Sequence, residues 1–164
     1  MFETKEVVPD KRKKWLYNLL MIYLIAGPVI YFGSLLLLNI GSGQSYEELL
    51  SENLGVALTI LKLAINLILA YVLYATQISE RKKGGVADSV LKLTMPQQFI
   101  TGNIIGVILS FLAFNELTDN PLITEDEVRA KKPIRDENKK GVIILLIVLN
   151  VLSLGIAYAS WRMS

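Results

Sequence analysis

The sequence predicts an all-α integral membrane protein: four transmembrane helices in a bundle, with both termini on the cytoplasmic side. Three observations carry this. Four apolar runs each approach the roughly 20 residues that a helix needs to cross a hydrocarbon core about 30 Å thick. The runs are continuous rather than alternating, and inside lipid only helices and closed barrels satisfy their own backbone groups, so helices are favoured over strands. The composition is lopsided as well. Of the 164 residues 52% are hydrophobic and 20% charged, with a mean hydropathy of +0.45, whereas an ordinary soluble domain carries roughly a quarter charged residues. A soluble bundle of this size would need a polar stripe on every helix, and none of the four runs has one. A single membrane domain over 1–164 accounts for the length.

The first span is expected over about 15–38, a stretch with no charge behind a basic tail holding Lys5, Lys11, Arg12, Lys13 and Lys14. The basic lead-in suits a signal peptide, but the apolar stretch far exceeds an h-region of about 7–15 residues, so it reads as an anchor. Near its centre "AGPVIYFG" places Gly27 and Pro28. The proline deletes one backbone hydrogen bond, and the resulting kink either shapes helix packing or lines a cavity. The loop 39–53 has no lysine or arginine and carries Glu47, Glu48 and Glu52.

The second span, 54–76, is interrupted only by Lys62, with Asn66 one helical turn further on. The inner loop 77–96 holds Arg81, Lys82, Lys83 and Lys92. Arg81, Lys82 and Lys83, together with Lys11, Arg12, Lys13 and Lys14, are expected to contact anionic lipid at the inner surface. Within this loop "VADSVLKL" alternates charge and apolar side chains at helical spacing. It reads as a short helix on the inner surface or as ordinary loop.

The third span is expected over 97–114. It contains "GNIIG", which sets Gly102 and Gly106 at the GxxxG spacing that lets neighbouring helix backbones approach. The fourth span, 141–161, has Gly155 and Ala159 at the same small-residue spacing. Between them lies a polar outer loop, 115–140. It holds six basic residues, but Glu125–Arg129, Glu127–Lys131 and Asp136–Lys140 are acid-to-base pairs at i,i+4. Thr124 with Glu127 makes a capping box, and Pro133 would end such a helix.

Orientation follows from lysine and arginine, which favour the cytoplasmic face. The tail and the loop 77–96 are basic and should lie inside, while 39–53 is acidic and should lie outside. With four crossings 115–140 falls outside, against its own charge. The aromatics set the balance: Trp15, Tyr17, Tyr71, Tyr74, Tyr158 and Trp161 all fall at one predicted face, as an interfacial belt would.

The chain has neither cysteine nor histidine, which removes disulfides, thiol nucleophiles, nearly all zinc or copper sites and the usual general base near neutral pH. No catalytic residue, metal site or cofactor is expected. A net charge of +2, with basic residues at the ends of apolar runs, gives no reason to expect a nucleic-acid partner.

Lys62 is the chemically unusual residue. A lysine near a helix centre costs on the order of 2.5–3.5 kcal/mol by insertion scales. It can snorkel outward along its stem, but the cost argues that its ammonium reaches a partner or water. No carboxylate lies in any run. Asn66, Asn103 and Asn150 fall near mid-depth of three spans, and Lys62 with these asparagines forms either an interhelical network or a candidate ligand or ion contact. The absence of a buried acid argues against proton- or cation-coupled transport.

The expected function is a non-catalytic multi-pass subunit or accessory protein that docks onto a larger membrane complex. The alternative is a small oligomeric transporter or channel using Lys62 and the asparagines. The expected partners are the lipid bilayer and either a larger membrane protein or further copies of the chain. The expected location is a bacterial cytoplasmic (inner) membrane.

Overall fold

The computed structural model describes residues 15–42, 53–77, 80–117 and 136–163. They form five helices: α1 Trp15–Ser42, α2 Leu54–Ala75, α3 Val86–Ile100, α4 Ile104–Asn115 and α5 Asp136–Met163. Among the described residues no strand forms. Three helices contain stretches long and apolar enough to cross a membrane: Trp15–Leu38 in α1, Leu54–Ala75, and Lys139–Arg162 in α5. The basic tail, including Lys11, Arg12, Lys13 and Lys14, and the pairs expected within 118–135 lie outside the described residues.

The run 97–114 departs from expectation, because it is not one helix. α3 begins at Val86, passes through Pro96 and stops at Ile100. Gly102 then takes φ +76°, a left-handed conformation that costs other residues roughly 1–2 kcal/mol. Asn103 caps α4 by accepting a hydrogen bond from the Gly106 amide at 3.1 Å. The Thr101 hydroxyl bonds back to the carbonyls of Gln97 and Gln98, both at 3.1 Å, and the Asn103 amide donates to the Gln98 carbonyl at 2.8 Å. These local bonds compete with helix continuation and end α3. The chain reverses, and the Lys92 ammonium lies 5.5 Å from the centroid of the Phe114 ring. α3 and α4 are therefore a helical hairpin. At 12 residues α4 is about 18 Å long, well short of a 30 Å hydrocarbon core.

"VADSVLKL" also finds a different place, as the first half of α3. Ala87, Val90 and Leu91 are fully buried, so this stretch packs inside the bundle rather than lying on its surface. Gly102 and Gly106 do not share a helix, which removes the GxxxG reading of that pair.

The helices meet at one end, here called proximal. The Tyr17 hydroxyl near the start of α1 donates to the Leu73 carbonyl near the end of α2 at 2.8 Å, so α1 and α2 run antiparallel. Glu116, just beyond α4, accepts hydrogen bonds from the backbone amides of Leu16 (3.3 Å) and Tyr17 (2.9 Å). A carboxylate at a helix start satisfies orphan amides and complements the helix dipole. Glu80 acts likewise on α3, accepting from the Val86 amide at 3.1 Å, and pairs with Lys139 of α5, also at 3.1 Å. The Arg81 guanidinium stacks 4.5 Å from the Tyr17 ring centroid and donates to the Thr76 carbonyl at 3.2 Å. Lys92 pairs with Asp88 at 2.7 Å.

α5 therefore starts at the proximal end and runs beside α3 in the same direction. Asn150 donates to the Leu93 carbonyl at 3.1 Å, and further on Ser153 meets Gln97. The start of α1 and the end of α5 lie at opposite ends of the bundle, where four crossings would have put them together. The aromatic belt divides accordingly, with Trp15, Tyr17, Tyr71 and Tyr74 towards the proximal end, and Tyr158 and Trp161 at the other. The core between the helices is Leu20, Leu24, Leu69, Leu73, Leu91 and Leu146, all fully buried.

Gly102→Ala should destabilise the detergent-solubilised protein by about 1–2 kcal/mol through the left-handed turn. Gly155→Ala, where a Cβ meets open space, should leave the melting temperature unchanged or raised. Equal melting temperatures for wild type and Gly102→Ala would contradict the hairpin turn.

Candidate functional site

The hairpin tip delivers a set of amides to the middle of the bundle. Asn66, which meets the tip, lies about 18 Å from the start of α2 and about 13 Å from its end. Gln98 is at the centre and fully buried. Its Nε2 donates to Asn66 Oδ1 of α2 at 2.8 Å and to Gln97 Oε1 at 2.6 Å. Its Oε1 accepts from Asn103 Nδ2, and Asn103 Oδ1 accepts from the Tyr23 hydroxyl of α1. Gln97 Nε2 reaches Ser153 Oγ of α5 at 3.4 Å, and that hydroxyl donates to the Leu149 carbonyl at 2.8 Å. One run of hydrogen bonds thus joins α1, α2, α5 and both arms of the hairpin.

Gly106 makes room for it. A Cβ at Gly106 would collide with the Gln98 amide oxygen and the Asn103 side chain, so this glycine serves the network rather than a helix seam. Ser110 and Thr94, both fully buried, satisfy themselves by donating to the carbonyls four residues earlier, Gly106 and Val90. Among the described residues no buried side-chain nitrogen or oxygen lacks a partner.

Of the residues singled out from the sequence, Asn66 and Asn103 come together through Gln98. Asn150 stands apart, spending its Nδ2 on the carbonyls of Leu93 (3.1 Å) and Leu146 (2.9 Å) and so bracing α5 against α3. Lys62 is half-buried, on the face of α2 that carries Leu58, Ile65, Asn66 and Leu69 towards the core. Its side chain makes no hydrogen bond or ion pair with the described residues. Pro28 is fully buried and α1 continues through it. A Cβ on Gly27 would sit 3.9 Å from Leu63, an ordinary contact. Gly155 faces outward with open space beside it. Of the expected lipid-contact residues, Arg81 is committed to Tyr17 and Thr76, Lys82 is half-buried and Lys83 is exposed.

Gln97, Gln98 and Tyr23 were missed. The available signal was "MPQQFITGN", two adjacent amides behind a proline and ahead of a glycine, within a run otherwise apolar. Such a cluster belongs to a chain reversal rather than a crossing. The side-chain amides of Asn66, Gln97, Gln98 and Asn103 each offer both a donor and an acceptor, so this set holds geometry by pairing hydrogen-bonding groups with one another.

Compared with protein-family models, curated proteins and solved structures, the chain matches none.

Gln98→Leu should lower stability by about 1–2 kcal/mol, given roughly 0.6–1.7 kcal/mol per hydrogen bond between membrane helices. Because Asn66 loses the same bond in either variant, Asn66→Leu combined with Gln98→Leu should cost less than the sum of the two singles. Strict additivity in thermal melts would show that the amides are not one network.

Proposed function

We propose that this chain is a non-catalytic integral membrane subunit that docks onto a larger membrane complex. The observation that carries the reading is how the polar groups are used. The amides inside the bundle are spent on one another, holding the hairpin between the long helices, which leaves no free catalytic constellation among the described residues. Meanwhile α5 turns Gly155 outward with no atom within 4 Å of where a Cβ would stand, and half-buried Ala159 follows four residues on. A small-residue seam open to lipid is the kind of surface on which membrane helices associate.

The charge pattern supports an orientation for this subunit. Five of the 17 lysines and arginines are in the tail, four in 77–96 and six in 115–140, all on segments joining the proximal end. That leaves Lys62 within the bundle and Arg162 at the far end. With three crossings and a hairpin that returns, the helix ends flanking these segments are all proximal, which supports an orientation in which 115–140 no longer conflicts with its own charge. The proximal end then faces the cytoplasm and the end of α5 faces outward, in a bacterial inner membrane.

A second reading, a small oligomeric transporter or channel, is favoured by one observation. Lys62 has no partner among the described residues and lies a turn from Asn66. The two readings diverge on replacement of this residue. Lys62→Leu should abolish ion flux in proteoliposomes if the protein conducts, and should leave partner recovery intact if it is a docking subunit.

Affinity purification from membranes in mild detergent should recover a larger membrane protein in stoichiometric amount. Gly155→Leu should lower that recovery at least about tenfold without lowering the melting temperature. Recovery of the chain alone, with Gly155→Leu indistinguishable from wild type, would contradict docking through α5.

A further inference from the structure

The hairpin enters only the proximal half of the bundle. Its tip stops at the level of Asn66, and α2 continues for twelve more residues towards Leu54, about 18 Å. α1 likewise continues from Tyr23, which touches the tip, to Ser42, and α5 continues from Ser153 to Met163. In this distal half only those three helices are present among the described residues, and nothing of α3 or α4 separates them.

Two features of the tip need water. Among the described residues the carbonyls of Ile100 and Thr101 accept no hydrogen bond. Helix carbonyls point along the axis towards the C-terminus, so at the end of α3 they aim into the distal half. Gly102 beside them is exposed and Thr101 half-exposed. Non-helical backbone at membrane depth persists only where protein buries it or a water-filled cavity is lined by it. The second feature is Lys62. It occupies the core-facing side of α2 one turn, about 6 Å, beyond Asn66, and its side chain leans further towards the distal end. An ammonium, two carbonyls and an exposed turn therefore share the half of the bundle that the hairpin does not enter.

The geometry points to a water-filled vestibule, open at the distal face, floored by the turn Thr101–Gly102–Asn103 and charged by Lys62, that admits small anions in preference to cations. The opposed dipoles of α3 and α4 cancel at the floor, so the full positive charge of Lys62 sets the sign. This holds for a docking subunit and for a transporter alike, since it concerns solvent access and not flux.

The absence of cysteine makes the test clean, because any single cysteine is the only thiol. Thr101→Cys and Lys62→Cys would be treated, in sealed membranes of each orientation, with two membrane-impermeant methanethiosulfonates, the anionic sulfonatoethyl and the cationic trimethylammonioethyl reagents. Val151→Cys, on α5 one residue past Asn150 and 61% exposed on the outside of the bundle, is the control. Both tip-side variants should react from the distal face only, at least about tenfold faster than Val151→Cys. At Thr101→Cys the anionic reagent should outpace the cationic one by about tenfold, a preference abolished by adding Lys62→Met. Failure of both Thr101→Cys and Lys62→Cys to react faster than Val151→Cys, or reaction from the proximal face, would overturn the vestibule. Equal rates for the two reagents at Thr101→Cys would overturn its charge selectivity.

Discussion

Hydrocarbon offers no hydrogen bonds, and this constraint governs the molecule. Each unsatisfied amide or carbonyl costs several kcal/mol in lipid, so a chain that turns back at mid-depth must bring partners with it. The hairpin of α3 and α4 does this with side chains. Asn103 caps the returning helix, Thr101 covers the Gln97 and Gln98 carbonyls of the incoming one, and Gln98 ties both to Asn66. Through Tyr23 and Ser153 the same hydrogen bonds reach α1 and α5, so satisfying the turn also fixes where the long helices stand.

From that turn follow the arrangement of the ends and the distribution of charge. A run that reverses instead of crossing returns the chain to the face it entered from. α5 then begins beside the start of α1, and Glu80, Glu116, Arg81 and Lys139 are gathered at one end. There the acids answer helix starts while the cations answer a ring, a carbonyl and an acid. A fourth crossing would have sent the basic segment 115–140 to the outer face, against the usual placement of lysine and arginine. Glu116 and Lys139, near the two ends of that segment, both lie at the proximal end of the bundle.

The helical class and the three long apolar helices were legible because continuous apolar runs of span length have few other physical solutions. The hairpin was not, because hydropathy averages over a window. Residues 97–114 are apolar on average, and averaging hides that two glutamines, a threonine, a glycine and an asparagine fall together within seven positions. Left-handed Gly102 could be suspected from "TGN", but the same letters suit a membrane GxxxG helix, and only tertiary packing separates the two. Asn103 was singled out for its depth, and Asn66 for its depth and its place one turn from Lys62. Gln98, which joins them, was passed over because it stood at the presumed edge of a span. The place of Asn150 depended on its neighbour: it faces a backbone carbonyl of α3 rather than the other asparagines, and that is a matter of helix rotation that composition does not encode.

The central claim is that the third apolar run enters and leaves by the same face. Reporter fusions at two points test it directly: alkaline phosphatase, active only outside the cytoplasm, and a fluorescent protein that folds only inside it, each placed within 118–135 and after Ser164. The account predicts fluorescence without phosphatase activity at the internal site, and phosphatase activity without fluorescence after Ser164. Phosphatase activity at the internal site with fluorescence after Ser164 would contradict it and restore four crossings.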